Sequence, residues 1–185
     1  MSTDYWVGFA FRKGNPKLTR ERVIMAATWG GFVHCELLLG HGDAYRAYSA
    51  YENIGGMLPS SYPEYKSDWV VVKYPLVNKA AYDRAYSWVL SILDMRLPYN
   101  SQDLWQCCLK IMLPFEADLP CQHPERWSAA FCSQLCLLFM RRLLVEGMVR
   151  AVPNPTRYLV HNTNSRGCSP NTLFQILVRN RRLVT

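Results

Sequence analysis

The sequence predicts an α+β fold in which a small antiparallel sheet, laid down first, packs against helices that follow it. Three observations predict this. Short aromatic and β-branched runs bounded by turn residues fill the chain as far as Tyr74. From Asn78 the period changes: Ala81, Ala85, Trp88, Val89, Ile92 and Leu93 recur at helical spacing. Half of the 185 residues are apolar and 13% are aromatic, enough for a core in a single domain over 1–185 and too many for a disordered chain.

Taken in order, Tyr5–Phe11 suits a first strand, stopped by Gly14-Asn15-Pro16. Thr19 is placed as an N-cap, and Glu21, Val23, Ile24 and Ala27 suit a helix that fails at Gly30-Gly31. Phe32–Leu39 reads as a buried strand, His41-Gly42-Asp43 as a turn and Ala44–Ala50 as the returning strand of a hairpin. The aromatic, Pro-containing stretch Tyr51–Tyr65 reads as a loop, and Trp69–Tyr74 is the clearest strand. The helix from Asn78 should end near Met95, before Pro98. A shorter helix is expected over Gln102–Met112. Pro114, Pro120 and Pro124 then mark a long loop of the kind that borders sites. An apolar helix runs from about Ala130 to Val145 and stops at Gly147. The last, Asn171–Leu177, starts through Ser169-Pro170. There is no internal repeat, low-complexity segment or linker.

Composition narrows the function classes. The longest apolar run, Leu135 to Met140, is far short of the roughly 20 residues a membrane span needs. Residues 1–20 mix Asp4, Arg12, Lys13, Lys17 and Arg20 among apolar positions, so no secretory signal is expected. Seven cysteines, an odd number, then read as reduced thiols in a cytoplasmic setting. The net charge of +7 lies wholly from Arg141 onward, where eight arginines face one acid, Glu146. Such a quarter, ending in Arg179, Arg181 and Arg182, either meets an anionic surface weakly or is simply a solubilising face.

Two segments carry chemistry, FVHCELLLG (Phe32–Gly40) and AAFCSQLCLLF (Ala129–Phe139). Strand side chains alternate, so His34 and Glu36 share a face while Cys35 points the other way and is expected to leave that pair untouched. A carboxylate beside an imidazole fixes its tautomer and stabilises the imidazolium. Cys132 falls at the start of the apolar helix, where the dipole favours the thiolate. A helix-start cysteine facing a strand histidine builds a nucleophilic ion pair. Each residue also has a plainer reading: strand histidines are often structural, and helix cysteines, as expected for Cys136, are often core. A metal site built from Cys107, Cys108, Cys121 and His123 is disfavoured, because their spacing matches no zinc pattern.

In this order the two segments resemble the permuted NlpC-type papain-like hydrolases, a superfamily that includes bacterial YiiX-type proteins, the lecithin:retinol acyltransferase family and proteins of large DNA viruses. HCELLLGHGDAYRAYSAY resembles the family's histidine strand, turn and second strand; LPYN (Leu97–Asn100) and FCSQL (Phe131–Leu135) resemble its tyrosine segment and cysteine helix; CSPNTLF (Cys168–Phe174) resembles its closing segment. Permutation places the histidine strand before the cysteine helix, as here. The resemblance implies a permuted papain-like fold with the nucleophile at a helix N-terminus. Many relatives place a third polar residue on the second strand. This chain has Tyr45, Arg46 and Tyr48 there, and a guanidinium has no acceptor. Glu36 is then the best partner for His34, with Ser49 behind it. The acyltransferase branch carries an NCEHF-like motif and a membrane anchor; FCSQL without such an anchor points away from it.

The expected activity is a thiol hydrolase or peptidase cleaving an amide or ester bond, with no cofactor and no metal. Cys132 is the expected nucleophile, His34 the acid–base and Glu36 its orienting partner. The Cys132 main-chain N–H, with Tyr99 and Ser49, is assigned to the oxyanion and substrate side. The Tyr51–Tyr65 and Pro114–Pro124 loops, with Trp127, are expected substrate walls. Alternatives are a phospholipase or acyltransferase at a membrane surface, and a non-catalytic viral or structural module, one of them a virion component whose arginine-rich end meets nucleic acid.

Overall fold

The computed structural model describes residues 4–28, 30–51, 56–60, 68–99 and 130–179. Five strands, β1 (Tyr5–Lys13), β2 (Phe32–His41), β3 (Ala44–Tyr51), β4 (Gly56–Ser60) and β5 (Trp69–Pro75), form one sheet in the order β4-β3-β2-β1-β5. Every pairing is antiparallel. Helix α1 (Thr19–Thr28) lies between β1 and β2, and α2 (Lys79–Asp94), α3 (Cys132–Val145), α4 (Asn154–Asn162) and α5 (Pro170–Val178) follow the sheet. The α+β class expected from the sequence is the architecture observed.

Alternation along the strands divides the sheet into two faces. Val7, Phe9, Phe11, Cys35, Leu37, Leu39, Val72 and Tyr74 point to the helices, where they meet Val89 and Ile92 of α2 and Leu135 and Phe139 of α3. The opposite face holds a thinner cluster of Trp6, Ala10, Leu38 and Ala47. There the Trp6 ring lies flat on Gly40, where an added Cβ would sit 2.0 Å from Trp6 Cε2. Trp6 Nε1 donates to Gly42 O at 2.9 Å, across the β2–β3 turn. Gly42 has φ 57°, a left-handed conformation that costs glycine nothing.

Capping follows the expected chemistry. Asn78 Oδ1 accepts from Ala81 N at 2.9 Å and opens α2, whose C-cap is Met95. Ser169 Oγ accepts from Thr172 N and opens α5, with Pro170 in its first turn. Gly147, at φ 64°, ends α3.

Two expectations change. Part of the expected loop Tyr51–Tyr65 is strand β4, which pairs with β3 from Ala47↔Ser60 to Tyr51↔Gly56. Its Pro59 stands on an outer strand, the place in a sheet where proline is tolerated. Helix α4 and the 3-10 turn Ser165–Gly167 have no counterpart in the sequence reading. The expected helix Gln102–Met112, the loop Pro114–Pro124, Trp127 and the disfavoured metal donors Cys107, Cys108, Cys121 and His123 lie outside the described residues, as do Arg181 and Arg182. Among the described residues no helix is long and apolar enough to cross a membrane.

Candidate functional site

The site is held by two anchored chain segments. The first is the start of α3. Phe131 is extended at φ −117°, ψ 172° and Cys132 is the first helical residue, so its N–H lies among those without an intrahelical acceptor. Ala130 N donates to Pro98 O at 3.1 Å, which also brings Tyr99 beside Ala130 in a parallel bridge. Ser133 Oγ donates to Cys168 O at 2.6 Å, and Phe131 N donates to Gln134 Oε1 at 3.3 Å. These contacts fix where the helix begins, and so where its first side chain points.

The second anchor is the start of β2. Asn171 of α5 grips Phe32 as a partner strand would: Phe32 N donates to Asn171 Oδ1 at 3.0 Å, and Asn171 Nδ2 donates to Phe32 O at 2.9 Å. The same Nδ2 donates to Thr28 Oγ1 at 2.6 Å, tying the end of α1 into the grip. Gly30 makes room for it, since a Cβ there would lie 2.1 Å from Asn171 Oδ1. His34 follows two residues later. Its side chain is 15% exposed and that of Glu36 only 2%. His34 Nε2 lies 2.7 Å from Ser49 Oγ and 3.6 Å from Glu36 Oε1, and the ring stands edge-on to Trp69 at 6.3 Å.

The Cys132 sulfur joins the two anchors. Strand β3 pairs with β2 only between Leu37↔Tyr48 and His41↔Ala44, then continues with β4. The earlier residues of β2, His34 and Cys35 among them, therefore have no β3 partner. His34 and Cys35 both act on the charge of the Cys132 sulfur, while the Cys35 S–H itself donates to Cys136 Sγ at 3.8 Å. The Cys35 thiol, against the opposing effect of burial and with the help of the His34 charge, holds Cys132 well below the ordinary thiol range. Burial opposes a charge on His34, but Cys132 and Glu36 outweigh it and push His34 up to about 9. Thiolate and imidazolium are thus the favoured pair near neutral pH. Burial, and then the charge on the Cys132 sulfur, push the Tyr99 hydroxyl up, so it stays protonated.

All five residues singled out from the sequence, Cys132, His34, Glu36, Tyr99 and Ser49, meet in this region. Two details differ from expectation. Ser49 does not face the sulfur; it takes the short hydrogen bond on His34 Nε2, nearer than Glu36. Cys35 does lie on the helix-facing side, yet it shares the core cluster of Cys132 and acts on its charge. Arg46 and Tyr48 lie elsewhere: Arg46 donates to Tyr86 Oη of α2, and Tyr48 is part of the helix-side core. Sequence reasoning missed Asn171 as the clamp on the histidine strand; its position just after Ser169-Pro170, at a helix start, was the available signal. Cys132, Cys35, Cys136 and Cys168 are free thiols, and no group of three metal-binding side chains occurs among the described residues. The arrangement is equipped to form a covalent bond from sulfur and to shuttle a proton through imidazole. No family model, curated protein or solved structure matches the chain.

Proposed function

We propose that this chain is a cysteine hydrolase that cleaves an amide or ester bond. The observation that carries the reading is Cys132 as the first residue of α3 with His34 of β2 within electrostatic reach, each favouring the other's charge: His34 is held up to about 9 and Cys132 well below its ordinary range. In this reading the Cys132 thiolate attacks the carbonyl carbon. The oxygen's developing charge is met by the Cys132 main-chain N–H and the Tyr99 hydroxyl. The His34 imidazolium gives its proton to the leaving amine or alcohol, and a thioester remains on Cys132. His34, now neutral, takes a proton from water as the water attacks that thioester; acid is released and the ion pair is restored. Ser49 and Glu36, both on Nε2, hold the ring so that Nδ1 serves the sulfur. The order of histidine strand and cysteine helix supports a permuted papain-like fold.

Labelling with peptide-like and lipid-like electrophilic probes, followed by mapping of the modified thiol, tests the reading. Modification of Cys132 that collapses in His34→Ala is the expected result. Equal labelling of Cys132 with and without His34 would overturn it. Whichever probe class labels faster names the substrate class.

A further inference from the structure

We propose that the corner where β1 runs into α1, residues 12–23, is a docking surface for an anionic lipid bilayer. It does not depend on the chemistry of Cys132; it concerns where the protein sits while it works.

The residues before Arg141 carry no net charge as a whole, and that balance hides a local excess. From Arg12 to Arg22 five cations, Arg12, Lys13, Lys17, Arg20 and Arg22, face one acid, Glu21. The fold spends that acid inside the corner. Glu21 Oε1 accepts from Arg12 Nη2 at 2.7 Å, and Oε2 accepts from Asn15 N at 2.6 Å. Lys13, Lys17, Arg20 and Arg22 are exposed, so the outer surface of the corner is positive. The C-terminal quarter differs, because Arg141, Arg142, Arg150 and Arg157 are engaged within the fold.

Charge alone would suit any polyanion; the apolar side chains select a bilayer. Leu18 is 51% exposed and Val23 is 42% exposed, although both stand among the cations. Arg22 N donates to Leu18 O at 2.9 Å, so Leu18 belongs to the first turn of α1, which buries Ile24. At about 100° per residue, Thr19, Arg22 and Ala26 lie opposite Ile24, and Leu18 and Val23 flank Arg22. Beside nucleic acid these two side chains would stay in water. At a membrane they enter the boundary between headgroups and acyl chains while the cations meet lipid phosphate. A cavity of about 510 Å3 lies at the same corner, lined by Arg12, Lys13, Leu18 and Asp68 among others, large enough for a phosphate headgroup. Asp68 is the one acid on its lining, set against two cations. Arg12 stands directly opposite His34 in the β1–β2 register, so docking here lays the membrane beside the strand that carries the histidine.

The test is co-sedimentation of the full chain with phosphatidylcholine vesicles, plain or containing about one-third phosphatidylserine, at low and high salt. Binding to the anionic vesicles that weakens at high salt is expected. No binding, or equal binding to plain vesicles, overturns the proposal. Lys17→Gln combined with Arg22→Gln should weaken binding at least about tenfold, since each cation near an anionic surface contributes about fivefold. Leu18→Ser combined with Val23→Ser should weaken it about fivefold and leave its salt dependence unchanged. Arg179→Gln, Arg181→Gln and Arg182→Gln together should leave it within about twofold; loss of binding in that variant instead assigns docking to the basic tail and overturns the proposal. A single-stranded oligonucleotide is the polyanion control. Tighter binding to it than to anionic vesicles, indifferent to Leu18 and Val23, overturns the choice of lipid. Circular dichroism checks that the variants fold, as exposed positions should allow. If one does not, hydrogen–deuterium exchange of the wild-type chain decides. Protection of residues 12–23 on anionic vesicles supports the proposal, and protection only elsewhere, or none, refutes it.

Discussion

Replacing Asn171 by alanine should loosen both the fold and the site, because one amide ties three chain segments together. The side chain is 8% exposed and makes three hydrogen bonds: to Phe32 N at 3.0 Å, Phe32 O at 2.9 Å and Thr28 Oγ1 at 2.6 Å. Each is worth about 0.5–1.5 kcal/mol net, and the partners left behind lose acceptor or donor, so a loss of about 2–4 kcal/mol is expected. For a chain of this length that is a fall of roughly 5–15 °C in Tm. Asn171→Asp should be no better: it keeps an acceptor for Phe32 N, but it loses both donations and sets a carboxylate against a carbonyl. Gly30→Ala should act through the same amide, since the new Cβ would lie 2.1 Å from Oδ1. The double variant should therefore lose less than the sum of the singles. Thermal and urea unfolding give the stabilities, and Cys132 alkylation gives the effect on His34, two residues from the clamp. A Tm within about 2 °C of wild type for Asn171→Ala would refute the argument that this amide holds the start of β2.

Three further outcomes are expected. His34 is raised to about 9, so its proton is present at neutral pH and lost as the pH climbs through that value; hydrolysis should fall on that limb, while Cys132 alkylation, needing only the thiolate, should persist above it. Ser49→Ala removes the 2.7 Å contact to Nε2 and should lower kcat/KM about tenfold, and Glu36→Gln, which removes a charge favouring the imidazolium, should move the alkaline limb to lower pH; pH–rate profiles of both variants check this. Arg141→Met removes hydrogen bonds to Val160 O at 3.1 Å and Thr163 O at 2.6 Å at the end of α4, and should cost about 2–4 kcal/mol in urea unfolding while leaving Cys132 alkylation unchanged.

Arg141 also shows why charge counting misreads this chain. The arginines from Arg141 onward suggest a free basic surface, yet several are occupied within the fold. Arg141 is 8% exposed and caps α4. Arg142 pairs with Glu146 at 2.7 Å, Arg150 donates to Val77 O, and Arg157 Nε donates to Val152 O at 3.1 Å. A guanidinium is a fork of donors as well as a charge, and helix ends with unsatisfied carbonyls consume it. Elements whose period was strong were legible: β1, β2, β5, α2 and α3 lie close to where the apolar pattern puts them. Strand β4 was not, because Pro59 reads as a loop signal unless the strand is known to be at an edge, which only the tertiary pairing decides. Helix α4 was legible in principle, from Pro155 in its first turn and the buried pair Thr156 and Val160 four residues apart. Its polar surroundings, Asn154, Arg157, His161 and Asn162, concealed the stripe.

For the site, alternation was a correct guide to faces and an incomplete guide to contacts. It puts His34 and Glu36 on one face and Cys35 on the other, and Cys35 does point to the helix-side core. Both His34 and Cys35 nonetheless act on the charge of Cys132. The pairing of β3 with β2 ends at Leu37↔Tyr48, while on its other edge β3 goes on pairing with β4 to Tyr51↔Gly56. Alternation along one strand says which face a side chain takes, but not where the neighbouring strand stops, and the end of the β2–β3 pairing at Leu37↔Tyr48 could be read only from the tertiary pairing.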